Sequence, residues 1–166
     1  MGREIRRVPA NWKHPKDDKG NFIPMYDQDY ESAAREWLQD CIAWDSGTHQ
    51  DILDNPELKQ KYPFYQEWAG NPPNPDSYRP KFDAEPSWYQ VYETVSEGTP
   101  VTPPFATKEE LIDYLVQHGD FWDRRRGDGG WPREHAEQFV ERGWAPSLVL
   151  IRSADKTELK APRDGA

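Results

Sequence analysis

The side chains able to titrate, ligate or attack are few in this chain, and none stands in a working arrangement. The four histidines are His14, His49, His118 and His135, and the one cysteine is Cys41. His118 lies close before Asp120 and Asp123, and imidazole beside carboxylates is the combination used for acid–base work or metal binding. The spacing fits no metal-ligand pattern, so the three residues read as exposed groups past a helix end. His49, with Asp45 and Asp51, reads the same way. Glu109 and Glu110 read as acids favoured by the first turn of a helix, not as a catalytic pair. The chain contains no G-x-S-x-G, no H-E-x-x-H and no phosphate-binding glycine loop. No catalytic residue, no metal site and no cofactor are therefore expected.

Three other constellations point to binding. The first is the acidic segment Asp29–Asp45, in which Asp29, Glu31, Glu36, Asp40 and Asp45 surround apolar residues and Trp44 offers an aromatic anchor. The second is the run Arg124, Arg125 and Arg126, which suits phosphate but is offset by Asp120, Asp123 and Asp128. The third is a strand and loop where a ligand pocket is expected, carrying Tyr92, Thr94, Ser96, Glu97 and Thr99. A fourth group, Arg3, Arg6 and Arg7 near the start, reads as pairing with the acidic excess of the chain itself.

Composition limits the partners. Of 166 residues, 31% are charged and 35% hydrophobic, and the formal net charge is −9. That charge disfavours broad binding to a nucleic-acid backbone, which needs clustered Lys and Arg. It permits a basic protein surface as partner, or mimicry of nucleic acid. Eight Trp and eight Tyr argue against wholesale disorder. Sixteen Pro predict much irregular structure between few regular elements. A single cysteine forbids an internal disulfide and suits a reducing compartment. The opening Met-Gly-Arg-Glu-Ile-Arg-Arg has no apolar stretch of the signal-peptide kind, and no run reaches membrane-spanning length. A soluble, cytoplasmic protein is expected.

The elements that must position these residues follow from pattern and turn chemistry. Trp88–Val95 is rich in aromatic and β-branched residues and reads as a strand covered on both faces. Ser96-Glu97-Gly98 turns the chain, and Pro100, Pro103 and Pro104 hold it extended. Thr107-x-x-Glu110 is a capping box that opens a helix with Leu111, Ile112, Leu115 and Val116 on one stripe and Gly119 at its end. Asp29–Asp45 reads as a second helix, with Ala33, Ala34, Trp37, Leu38, Cys41 and Ile42 on its apolar stripe. Cys41 reads there as a small buried hydrophobe. Asn55-Pro56 starts a short helix, and Phe64, Tyr65 and Trp68 form an aromatic cluster under loops. Residues 71–87 form a Pro-rich loop, and 120–130 a charged loop. A helix over Arg133–Arg142 precedes an apolar strand, Ser147–Arg152.

The expected fold is α+β. One domain covers 1–152, with 1–26 as an extended arm and 153–166 as a polar, flexible tail. Strands 88–95 and 147–152 are expected as neighbours in a small sheet, with helices 108–118 and 133–142 on one face and the acidic helix packed against that unit.

The stretch YQVYETVSEGTPVTPPFATKEELIDYL resembles a recurring pattern in small accessory proteins of tailed bacteriophages and prophages. The opening GREIRRVPANWKHP and the later RGWAPSLV resemble the two ends of the same group. These stretches cover roughly a third of the chain. Larger members carry CxxC pairs of the zinc-binding type, which a chain with Cys41 alone lacks. The resemblance implies expression in the cytoplasm of an infected bacterium and action by binding a host protein. The alternatives are a small-ligand binder or enzyme with a pocket near 88–104, and an acidic mimic of nucleic acid.

Overall fold

The computed structural model describes residues 2–94, 98–146, 149–152, 157–160 and 162–164. In chain order, strand β1 is Gly2–Val8 and β2 is Tyr26–Asp29. Helices α1 (Tyr30–Ser46), α2 (Gln50–Asp54), α3 (Glu57–Lys61) and α4 (Tyr65–Ala69) follow. Strands β3 (Tyr78–Arg79), β4 (Trp88–Glu93) and β5 (Thr99–Pro100) come next. Helices α5 (Lys108–His118), α6 (Phe121–Arg126) and α7 (Arg133–Arg142) precede β6 (Trp144–Pro146), β7 (Val149–Arg152) and β8 (Thr157–Lys160). The fold is α+β. Where the sequence suggests one domain, the chain forms two compact units: Met1–Met25 with Phe82–Ala166, and Tyr26–Lys81.

The first unit is built on a four-stranded antiparallel sheet in the order β5-β4-β1-β6. The expected N-terminal arm is thus a central strand. It pairs with β4 from Arg3↔Glu93 to Val8↔Trp88. The alternation of β1 is hidden because charges fall on both of its faces. Arg3 and Arg6 are nevertheless buried, and buried charges persist only when paired. Arg3 Nε donates to Asp120 Oδ2 at 2.7 Å, and Arg6 Nε to Glu4 Oε1 at 2.6 Å. Arg6 Nη1 also donates to the Met25 carbonyl at 2.6 Å.

One core is shared by the sheet, α5 and α7. It contains Val91, Leu111, Leu115, Trp131, Phe139 and Val140. Burying a side chain of that size is worth about 1.5–3 kcal/mol. The capping box of α5 forms as expected: Glu110 N donates to Thr107 Oγ1 at 3.1 Å, and Thr107 N donates to Glu110 Oε2 at 3.2 Å. Residues 120–130, expected as a loop, contain α6. Its Asp120 cap accepts from Trp122 N and Asp123 N, and the Asp123 carboxylate reaches back to Asp120 N. The charged composition of α6 offers no apolar stripe, so its caps are its only sequence signal.

The strand expected over 147–152 does not neighbour β4. Both sides of β4 are occupied, by β5 and β1, and β6 takes the outer side of β1 through Gly2↔Pro146, Arg3↔Ala145 and Glu4↔Trp144. β7 pairs instead with β8, from Val149↔Lys160 to Arg152↔Thr157. The segment expected as a flexible tail therefore contributes a strand.

The second unit holds α1 to α4 and a parallel pair, β2 with β3. Asp29 caps α1 by accepting from Ser32 N at 3.0 Å, and Gly47 ends the helix in the left-handed region at φ 74°. Among the described residues, no helix is long and apolar enough to cross a membrane.

Candidate functional site

The acidic constellation lies in the second unit, and the structure gives each of its members a local task. Asp29 is the α1 cap. Glu31 pairs with Lys81 at 3.0 Å, Asp45 with Lys59 at 3.4 Å, and Glu36 accepts from Gln28 Nε2 at 2.8 Å. Asp40 accepts from the Tyr65 hydroxyl at 3.2 Å. The exposed pairs are worth little in stability.

Trp44 is not a surface anchor. Its relative exposure is 0%. It sits among Trp68 (centroids 6.1 Å apart, 17° between planes), Tyr65 (5.6 Å) and His49 (5.4 Å), and its Nε1 donates to the Tyr62 carbonyl at 2.9 Å. The α1 stripe is rotated from the expected one, and Trp44, at its far end, takes the interior. Leu38 and Ile42 are left 61% and 67% exposed on successive turns. Phe64 is 66% exposed in the same unit. Tyr65 is held by the aromatic cluster; burial first, then the Asp40 carboxylate, pushes its hydroxyl pKa up to about 12.

The arginine run lies in the first unit. Arg126 is spent on Asp123 (2.7 Å) and Asp128 (2.6 Å). Asp123 also accepts from Trp131 Nε1 at 2.6 Å, and burial pushes its carboxyl above the usual range. Arg125 stands over the Trp122 ring at 5.9 Å. Arg124 Nη1 donates to the Tyr114 hydroxyl and, at 3.5 Å, to the Gly119 carbonyl.

The residues expected to line a pocket are divided. Thr94 Oγ1 accepts from Gly2 N at 2.7 Å, which ties β4 to the first residue of β1. Thr99 Oγ1 donates to Glu93 Oε1 at 3.2 Å and borders a cavity of about 470 Å³. Ser96 and Glu97 lie outside the described residues. Gly98 is crowded: a Cβ there would stand 2.2 Å from Arg6 Nη2 and from the Met25 carbonyl, at φ +100°. Only glycine meets both demands.

Tyr92 is buried and is not among the residues that border a larger cavity of about 560 Å³, which are Trp12, His14, Gln90 and the 100–104 segment among others. Its hydroxyl is the hub of a polar network. His14 Nε2 lies 2.7 Å from the Ile23 carbonyl, which only accepts, so the neutral ring carries its proton on Nε2. His14 Nδ1 is then an acceptor, 3.2 Å from the Tyr92 hydroxyl. Gln90 Nε2 donates to the Thr102 carbonyl at 2.8 Å, which aims Gln90 Oε1 at the same hydroxyl, 3.0 Å away. Trp12 Nε1 donates to that hydroxyl at 3.2 Å. One hydroxyl proton thus faces two acceptors. Burial is the main cause holding the His14 pKa below its ordinary value, and the Arg6 charge adds to it, while the Ile23 carbonyl works the other way.

Of the segments where a pocket is expected, 100–104 borders this cavity, while Trp12, His14 and Gln90 are not among the expected lining residues. These residues come from three separated segments, and only the alternation of β4, which puts Gln90 and Tyr92 on one face, signalled any of this. Among the described residues, no group of three or more His, Cys, Asp or Glu is arranged to hold a metal. No family model, curated protein or solved structure matches the chain.

Proposed function

We propose that this chain is a phage-encoded accessory protein that acts in the infected bacterial cytoplasm by binding a host protein through the 26–81 unit. The observation that carries the reading is the pair Leu38 and Ile42, exposed on successive turns of α1. An apolar ridge at i, i+4 spacing is the form that docks into a hydrophobic groove. The same unit carries eleven Asp and Glu against five Lys and Arg, a net charge of −6 in 56 residues. The occupant that fits is a protein groove with apolar walls and a Lys- or Arg-rich rim. The phage assignment rests on the resemblance of the 89–115 stretch.

The test compares capture from bacterial lysate by the natural chain and by a Leu38→Asp/Ile42→Asp variant. The expected result is one stoichiometric basic protein held by the natural chain, weakened by salt and lost from the variant at an unchanged melting temperature. Equal capture by both chains overturns the reading.

A further inference from the structure

We infer that the 560 Å³ cavity of the first unit is a mononucleotide site, with the base against aromatic side chains and the phosphate monoester held by Lys13, Lys16 and Arg124. The volume lies within the range of small-molecule sites, about 300–1,000 Å³. Trp12, Phe22, Tyr114 and Phe121 border it and supply flat apolar faces. Phe22 and Phe121 are 39% and 42% exposed, which leaves ring surface open for a base to stack on.

The charge of the lining is opposite to that of the chain. Three of the cavity's residues are cations and none is Asp or Glu, although the chain has thirty acids. Among the described residues, Lys13, Lys16 and Arg124 form no ion pair. Lys16 Nζ stands 4.7 Å from the Phe22 ring centroid, which places a cation beside an aromatic face. Arg124 is held in place from one end: Nη1 meets Tyr114 and Gly119 and the guanidinium stands over the Tyr114 ring at 5.5 Å, while Nη2 and Nε take no hydrogen-bond partner among the described residues. A guanidinium anchored at one nitrogen, with its other donors open, suits an oxyanion.

Three unneutralised cations select the ligand class. A carboxylate supplies one negative charge, whereas a phosphate monoester supplies about 1.5–2 at neutral pH. A polynucleotide would have to run on past an exterior whose net charge is negative, so a free nucleotide fits better than a strand.

The experiment is amide chemical-shift titration of the full chain with AMP, GMP, CMP and UMP, and separately with adenosine, inorganic phosphate and a ten-residue oligothymidylate. Lys13→Ala/Lys16→Ala and Arg124→Gln are titrated in parallel. These side chains are exposed, so both variants are expected to keep the natural melting temperature. At least one mononucleotide should shift residues 12–22, 100–104 and 121–124 and bind on the order of 1–100 µM. Adenosine and phosphate alone should bind at least about tenfold more weakly, and each variant should lose about tenfold or more in affinity. No shift with any mononucleotide at millimolar concentration overturns the inference, and so does natural affinity in both variants. Adenosine binding as well as AMP removes the phosphate subsite and overturns it too. Oligothymidylate binding more tightly than every mononucleotide makes the cavity a strand-binding surface, which also overturns it.

Discussion

The two compact units meet the need for burial in different ways. The first shares a largely aliphatic core between a four-stranded sheet and two helices, and it has nineteen acids against sixteen Lys and Arg. Its buried charges are paired, as Arg3 is with Asp120. The second has little sheet and few buried aliphatic side chains. Its centre is a set of rings around Trp44, tied to Tyr62, Asp40 and Asp51 through Trp44 Nε1, Tyr65 Oη and Trp68 Nε1. This centre leaves Leu38, Ile42 and Phe64 in solvent. The unit with fewer buried aliphatic side chains is thus the one with more large apolar side chains exposed, and exposed patches of that kind mark interaction sites.

The sharpest way to break this comparison is to empty each centre. Trp44→Ala should cost about 3–5 kcal/mol and Leu115→Ala about 2–5 kcal/mol, measured by denaturant unfolding. Amide exchange should show the first loss over 26–81 and the second over the sheet and α5. A uniform loss across the whole chain in both variants would mean that the two units unfold as one. Next comes Arg3→Met, which leaves Asp120 buried without its ion pair and should cost about 3–5 kcal/mol. A cost below about 1 kcal/mol would show that the first unit does not depend on that pair. Gly98→Ala should cost about 1–3 kcal/mol, since the new methyl meets Arg6 and the Met25 carbonyl.

The smaller effects sharpen the contrast. Leu38→Ser should change stability by no more than about 0.5 kcal/mol, as expected of an exposed side chain. A larger loss would place Leu38 in the interior and remove the proposed ridge. His14 has a lowered pKa in the folded chain, so below its ordinary value of about 6.5 the unfolded chain takes up the proton first. Its contribution to stability is therefore complete above about pH 6.5 and falls as pH drops from there through the lowered pKa. His14→Gln should flatten the pH dependence of the melting temperature in that window, and an unchanged slope would assign the effect to other groups.

Local signals were legible where one segment carried the whole message. The α5 capping box forms as the spacing predicts, and α1 falls where the apolar spacing of Asp29–Asp45 predicts a helix. The β4 strand was also legible, because aromatic and β-branched residues concentrate there. The role of β1 was not, since Arg3, Arg6 and Arg7 mark a surface arm unless their partners are known. Trp44 read as an anchor for the same reason. An aromatic at the edge of a helical stripe is assigned to surface or core only by what packs against it. Of the cavity's border, the sequence offered the 100–104 segment, but not Trp12 and His14, which join Tyr92 in one polar network.

The sequence by itself determined the α+β class, the main helices with their caps, and the negative charge of the chain, all of which are properties of neighbouring residues. The tertiary structure decided which strand lies beside which, that the acidic helix and the arginine run fall in different units, and that Lys13, Lys16 and Arg124 border one cavity. These depend on pairings between residues far apart in the chain. Strand order is set by which edge is free, and a charge is buried or exposed according to whether a distant partner arrives to neutralise it. Pattern within a window carries neither kind of information.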